Sequence, residues 1–188
     1  MKKFLFFFAL ITLFASCNNT SESKKSPADE LDTHTTDAIT GATGDKAHVL
    51  EIPQNEAINK VYATLKEAGP YYIATVENDK PRVRPVGIVE LFNGKIWFHV
   101  GKHKTSYNQI QTNPHIEVAT VGKNGTFFRV SGIAVCEDNP VLDEKIFKNY
   151  PMLKNIYNEK TGNTLGHFYV SNGVAEFPSD SGSVIVRF

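Results

Sequence analysis

The chain is expected to fold as a mainly β domain, a small closed β-barrel with a few peripheral helices, and three observations predict this. Most runs after residue 70 are rich in β-branched and aromatic residues. Short turn signals such as Asn93-Gly94 separate them in hairpin order, and helical spacing is confined to a few short stretches. Closing a sheet of this kind removes its exposed edges, which favours a barrel over an open sheet.

The first element, 55–68, sets Ile58, Val61, Tyr62 and Leu65 at helical spacing, and Gly69-Pro70 stops it. Strands follow at 71–77 and 82–92, parted by Asn78-Asp79, and the second turns through Asn93-Gly94 into a strand at 95–100. A short helix at 104–111 ends at Asn113-Pro114. Strands at 115–121 and 126–137 flank the turn at Lys123 to Gly125. Residues 139–150 read as a helix capped by Asn139 with Pro140 in its first turn, and 151–158 continue it after a break. Strands at 167–177 and 183–188 finish the chain, so 55–188 is one domain with room for a substantial core.

Before residue 55 the composition changes. Met1-Lys2-Lys3, an apolar run over 4–14 and then Ala15-Ser16-Cys17 follow the charged, hydrophobic, small-residue order of a secretory signal over 1–16, and the run is too short to span a bilayer. A cysteine after two small residues resembles a bacterial lipobox, with Phe14 where Leu is usual, so Cys17 is the expected lipidation site. The expected location is extracytoplasmic, on a membrane anchor. From 17 to 54 the chain is polar and nearly free of aromatic residues, which reads as a flexible tether with a reach of roughly 30 Å.

Inside that tether lies Asp37-Ala38-Ile39-Thr40-Gly41-Ala42-Thr43. This string is similar to the Asp-x-x-Ser/Thr-Gly-Ala-Thr flavinylation motif of extracytoplasmic electron-transfer proteins, among them flavin-carrying subunits of sodium-pumping NADH:quinone reductases and Rnf complexes. The resemblance implies covalent FMN on Thr43, attached through its phosphate by a flavin transferase. The residue types suit that chemistry, because Gly41 and Ala42 leave the backbone open and Thr43 offers an unhindered hydroxyl.

The charge is balanced, 20 Lys+Arg against 20 Asp+Glu, and no basic block points to nucleic acid. With Cys17 acylated, Cys136 has no partner for an intramolecular bridge and reads as a small buried hydrophobe. The six histidines show no paired metal-ligand spacing, so no metal site is expected.

In the folded domain a phosphate would want cations and backbone amides at a helix start, and Lys104, Thr105 and Ser106 stand at one. Arg82 and Arg84, two apart on a strand, share a face and can add a bidentate clamp. Taken with Val83-Arg84-Pro85-Val86-Gly87, Lys95 to His99, Lys104-Thr105-Ser106-Tyr107, Gln109-Ile110 and Asn113-Pro114, these residues resemble the pyridoxamine-phosphate-oxidase-like family of FMN-binding split barrels. The resemblance implies a split barrel with noncovalent FMN. The strand around Arg84, Pro85, Val86 and Gly87 would lie along the ring, with Arg82 and Val83 also among the cofactor-binding residues, Phe98 and His99 would flank the ribityl chain, and Phe127 and Arg129 would reach the flavin, often across a homodimer interface. For Trp97 and Phe128 a core position is preferred; for Phe127 core and flavin contact stay open. The chain is shorter than full oxidases and lacks a match to their vitamin-binding Arg and His near the C-terminus, so vitamin B6 oxidation is not supported.

Together these readings give a membrane-anchored flavoprotein reductase, fed by a membrane electron donor and serving a small extracytoplasmic acceptor. The rivals are a flavin carrier without its own substrate and a split barrel that binds haem or another ligand.

Overall fold

Strand pairing in hairpin order accounts for most of the architecture. The computed structural model describes residues 46–123, 125–180 and 182–188. The elements are β1 (Ala47–Val49), α1 (Gln54–Ala68), β2 (Tyr71–Glu77), β3 (Lys80–Val86), β4 (Val89–Phe92), β5 (Lys95–Gly101), α2 (Thr105–Thr112), β6 (His115–Val121), β7 (Phe127–Cys136), α3 (Pro140–Asn149), a 3-10 turn (Pro151–Asn155), β8 (Leu165–Ser179) and β9 (Gly182–Arg187). The signal segment, Cys17, the flavinylation motif with Thr43 and most of the tether lie outside the described residues. The last part of the expected tether does not: Ala47–Val49 pairs in parallel with β9, so the sheet begins before residue 55.

Two hairpins follow from the sequence. Asn78 and Asp79 take φ of 48° and 60°, and Asn93 and Gly94 take 49° and 69°, the left-handed pairs that a two-residue turn between right-twisted strands requires. Asn139 caps α3, its side chain accepting from the Leu142 N–H at 3.0 Å. Asn139→Ala is expected to cost about 1 kcal/mol, read as a lowered urea midpoint.

The sheet runs β1-β9-β8-β7-β6-β2-β3, with β4 and β5 branching off β8. The branch arises because β8 is long: along one edge its first part pairs with β5 from Leu165 to Tyr169, and its last part pairs with β9 from Val174 to Ser179. Between them the pairing with β7 shifts register, Asn172 takes φ of 50°, and a Cβ at Gly132 would lie 2.6 Å from Val170 Cγ1 and 2.9 Å from the Ser171 carbonyl oxygen. The sheet is not closed, so the split barrel that the resemblance implied is borne out and the closed barrel read from hairpin order alone is corrected. The expected single strand 82–92 is also two, because after Pro85 and Val86 the chain leaves β2 at Gly87 and crosses to pair with β5. Among the described residues no ladder joins β3 to β4 or β5, and that gap is the split.

The main core fills the barrel with Val61, Leu65, Ile73, Phe98, Val118 and Phe168, and a second cluster of Trp97, Leu142, Ile146 and Leu165 lies under α3. Trp97 and Phe128 are core residues. No helix among the described residues is long and apolar enough to cross a membrane.

Candidate functional site

A cavity of about 250 Å³ opens where the sheet splits. β3 contributes Arg84, Pro85 and Val86; the crossing contributes Gly87 and Ile88; β5 contributes His99 and Val100; α2 contributes Lys104, Ser106 and Ile110. Leu153, Tyr157 and Leu165 close one side and Ile73 lies on the wall from β2. The lining is mainly apolar with a few convergent polar groups, the usual make-up of a ligand site, and it falls below the roughly 300–1,000 Å³ of pockets that bury a drug-sized ligand.

Its polar end is the start of α2. Lys104 is the N-cap, in extended conformation and with no side-chain cap bond, and Ser106 is buried in the first turn. The first amides of any helix lack intrahelical acceptors and carry the positive end of its dipole, so this end suits an anion. Thr105 is exposed and does not line the cavity.

The two arginines part company. Arg84 donates from Nη1 to Thr75 Oγ1 and from Nη2 to Gln109 Oε1, each at 2.7 Å, which ties β3 to β2 and α2 at the cavity edge. Burial lowers its guanidinium pKa, with Arg82 adding to that. Arg82 is exposed and pairs with Glu77, Nη2 to Oε2 at 2.8 Å, away from the cavity. Hydrogen bonds from Gln109 and then Arg82 hold the Glu77 carboxyl below its ordinary range. Sharing a face thus did not bring both arginines to one place, because the strand twists past the cavity and Glu77 sits beside Arg82 across the turn.

Pro85 lines the cavity, but Val83 is 66% exposed on the outer sheet face. Phe98 is fully buried, its ring stacked on Phe168 at 5.6 Å and edge-on to Tyr71 at 6.1 Å; it supports the cavity from behind. Phe127 is 68% exposed on the outer face of β7, which answers the open question against the core. Arg129, on the same face, lies 4.0 Å from Glu117 and from Glu176 and is not a cavity residue of this chain. Cys136 is a half-buried free thiol whose pKa burial pushes up, which keeps it unreactive.

His99 is 6% exposed and its Nε2 has no hydrogen-bond partner. Burial, then His167 and Lys145, lower its pKa from 6.5 to about 3. Between those values the unfolded chain binds a proton at this position that the folded chain refuses, so stability is lost as pH falls through the window. His99→Gln is expected to flatten that loss. Urea denaturation at pH 7 and pH 5 should show the difference in stability between parent and variant move by about 2 kcal/mol in the variant's favour at the lower pH. Sequence reading missed that His99 meets His167 and that His167 meets Asp143. The available signal was only a second histidine on an expected strand.

The same architecture recurs in known proteins. A NimC/NimA family protein from Clostridium acetobutylicum is 29% identical, with 72% of this chain and 94% of that one covered at a TM-score of 0.65. General Stress Protein 26 from Bacillus anthracis shares the fold at 17% identity, 71% and 98% coverage and a TM-score of 0.53. A C. acetobutylicum protein related to general stress protein 26 shares it at 10% identity, 73% and 97% coverage and a TM-score of 0.55. No curated protein matches the chain significantly in sequence. The family model for pyridoxamine 5'-phosphate oxidase, whose members typically bind flavin, matches residues 58–166. Every residue that lines the cavity, from Ile73 to Leu165, falls inside that segment, which is more than half of the chain. By the segment that builds its fold and its cavity, the chain belongs to the pyridoxamine 5'-phosphate oxidase family.

Proposed function

We propose that the chain is a membrane-anchored extracytoplasmic flavoprotein oxidoreductase with two flavins. One FMN is held noncovalently in the cavity at the split and a second is esterified to Thr43 on the tether. A membrane donor feeds the tethered flavin, and a small acceptor is reduced at the cavity.

The observation that carries this reading is the make-up of the cavity: Lys104 and Ser106 at the start of α2, and apolar walls with the unpartnered His99 Nε2 beyond them. A phosphate fits the first, and a flat heterocycle with polar edge atoms fits the second. Bound there, FMN supplies hydride or electron transfer. The chain's own part is to hold the phosphate, orient the ring and shield it from water. Arg84 contributes to orientation, since Thr75 and Gln109 fix its guanidinium at the edge.

A homodimer belongs to the same reading. The outer face of β7, β6, β2 and β3 carries Phe127, Val121, Tyr72 and Val83 at 68%, 49%, 49% and 66% exposure, a band of apolar side chains across four adjoining strands. Phe127 and Arg129 share that face, so a second copy seated on it would bring them toward its cavity.

The test is to produce the mature chain with a flavin transferase, denature it and separate free from attached flavin. Released FMN with Lys104-dependent affinity is expected from the cavity, and an FMN mass on the Thr43 peptide, lost in Thr43→Ala, from the tether. Protein that holds no flavin of either kind would overturn the proposal, and a haem absorbance band in its place would assign the cavity to haem.

A further inference from the structure

His99 lines the cavity, and behind it stand His167 and Asp143, two polar side chains that flavin binding leaves without a task. His99 and His167 face each other across the β5–β8 pairing, with Nδ1 to Nδ1 at 2.7 Å and the rings at 84°. From α3, Asp143 Oδ1 lies 2.9 Å from His167 Nε2. His167 is 1% exposed, whereas the Asp143 side chain is 39% exposed and so reaches solvent. The fourth ring nitrogen, His99 Nε2, is buried, unpartnered and part of a residue that lines the cavity.

The spacing decides where the protons are. Two nitrogens at 2.7 Å share one proton, and an ionised carboxylate only accepts. With both rings neutral, His167 Nε2–H donates to Asp143, His167 Nδ1 accepts, and His99 Nδ1–H donates. His99 Nε2 is then a bare lone pair. One added proton reverses the chain: it bonds to His99 Nε2, the proton on His99 Nδ1 crosses to His167 Nδ1, and His167 becomes an imidazolium against the Asp143 carboxylate. One proton enters and one positive charge results, held a full ring away from the cavity.

The surroundings favour that placement. Lys104 and Arg84 line the cavity and oppose charge on the His99 ring, and Lys145 from α3 faces the pair while bonded to Glu90 Oε2 and the Leu91 carbonyl, each at 3.1 Å. Asp143 offers a compensating charge at the His167 end alone.

We propose that Asp143, His167 and His99 form a relay that exchanges one proton with a ligand in the cavity. His99 Nε2 is the group that touches the ligand, and His167 and Asp143 are positioning residues. The ligand class it fits is a redox-active heterocycle or acceptor with an N–H or O–H that gains its proton on reduction and loses it on oxidation. Naming that class rests on the flavin reading; the relay itself does not. No electron passes through it.

The test uses the whole chain labelled with ¹⁵N-histidine, first without ligand. Near neutral pH His99 is expected to show Nδ1–H and a bare Nε2, and His167 to show Nε2–H. On acidification His99 Nε2, His99 Nδ1 and His167 Nδ1 should change together in a step of one proton, while His167 Nε2 keeps its proton. Asp143→Asn keeps the shape without the balancing charge and should lower the pair's proton affinity about tenfold or more, one pH unit. Independent titration of the two rings in the parent, or an unmoved midpoint in Asp143→Asn, would overturn the relay. The parent measurement decides this even if the variant fails to fold. Repeated with FMN, Asp143→Asn should retain FMN affinity and displace the pH at which the slope of reduction potential against pH changes; an undisplaced break would overturn the ligand assignment. A parent that binds no FMN removes the flavin reading and leaves the ligand-free titration to judge the relay.

Discussion

Phe98→Ala is expected to lower folding stability by about 3–5 kcal/mol, read as a drop in the urea midpoint with the slope unchanged. The ring is fully buried, stacked on Phe168 and edge-on to Tyr71, so truncation removes both aromatic contacts and leaves a void that strands on two sides cannot collapse to fill. A domain of this size has a total stability on the order of 5–15 kcal/mol, so the loss is a large share of it. Because Phe98 precedes His99 on β5, the variant should also lose ligand affinity, through disorder of the wall rather than through a missing contact. Phe127→Ala supplies the contrast. At 68% exposure its removal should change the stability of an isolated chain by no more than about 0.5 kcal/mol, while weakening self-association in sedimentation measurements.

Lys104→Ala is expected to raise the dissociation constant for noncovalent FMN by roughly 10- to 150-fold, the equivalent of about 1.5–3 kcal/mol for a hydrogen bond to a charged group. Lys104 is the N-cap of α2 and carries no capping bond that its loss would break, so the helix should survive intact. Flavin fluorescence titration at two ionic strengths checks this, with a weaker salt dependence expected in the variant. Covalent loading of Thr43 should not change. Equal affinity in variant and parent would refute the phosphate assignment, whereas loss of covalent flavin would mean that the two sites are not independent.

Local rules wrote much of the fold legibly. Asn78-Asp79 and Asn93-Gly94 forced their hairpins because few residues accept a left-handed backbone, and Asn139-Pro140 announced α3 through cap chemistry alone. What depended on distant partners was hidden. The break at Gly87 follows from β4 finding β5, and the split follows from β8 having one edge shared between two strands. The same limit shaped the site reading. Lys104, Ser106, Arg84, Pro85 and His99 come together as the pattern implied, since each lies near an element end or on the inner face. Arg82 was drawn off by Glu77, and Phe98 turned inward because residues alternate along β5 while its other neighbours also happen to be buried. The link from His99 to Asp143 joins residues 44 positions apart through a third, and alternation along a strand says nothing of such a meeting.

The parallel pairing of Ala47 with Ser183 sets the order of events during synthesis. Of the described strands, the first to leave a ribosome docks on the last, and loop closure over that span is slow. Until β9 has emerged, β1 has no ladder to join, so that edge of the sheet in the nascent polypeptide stays open until β9 arrives.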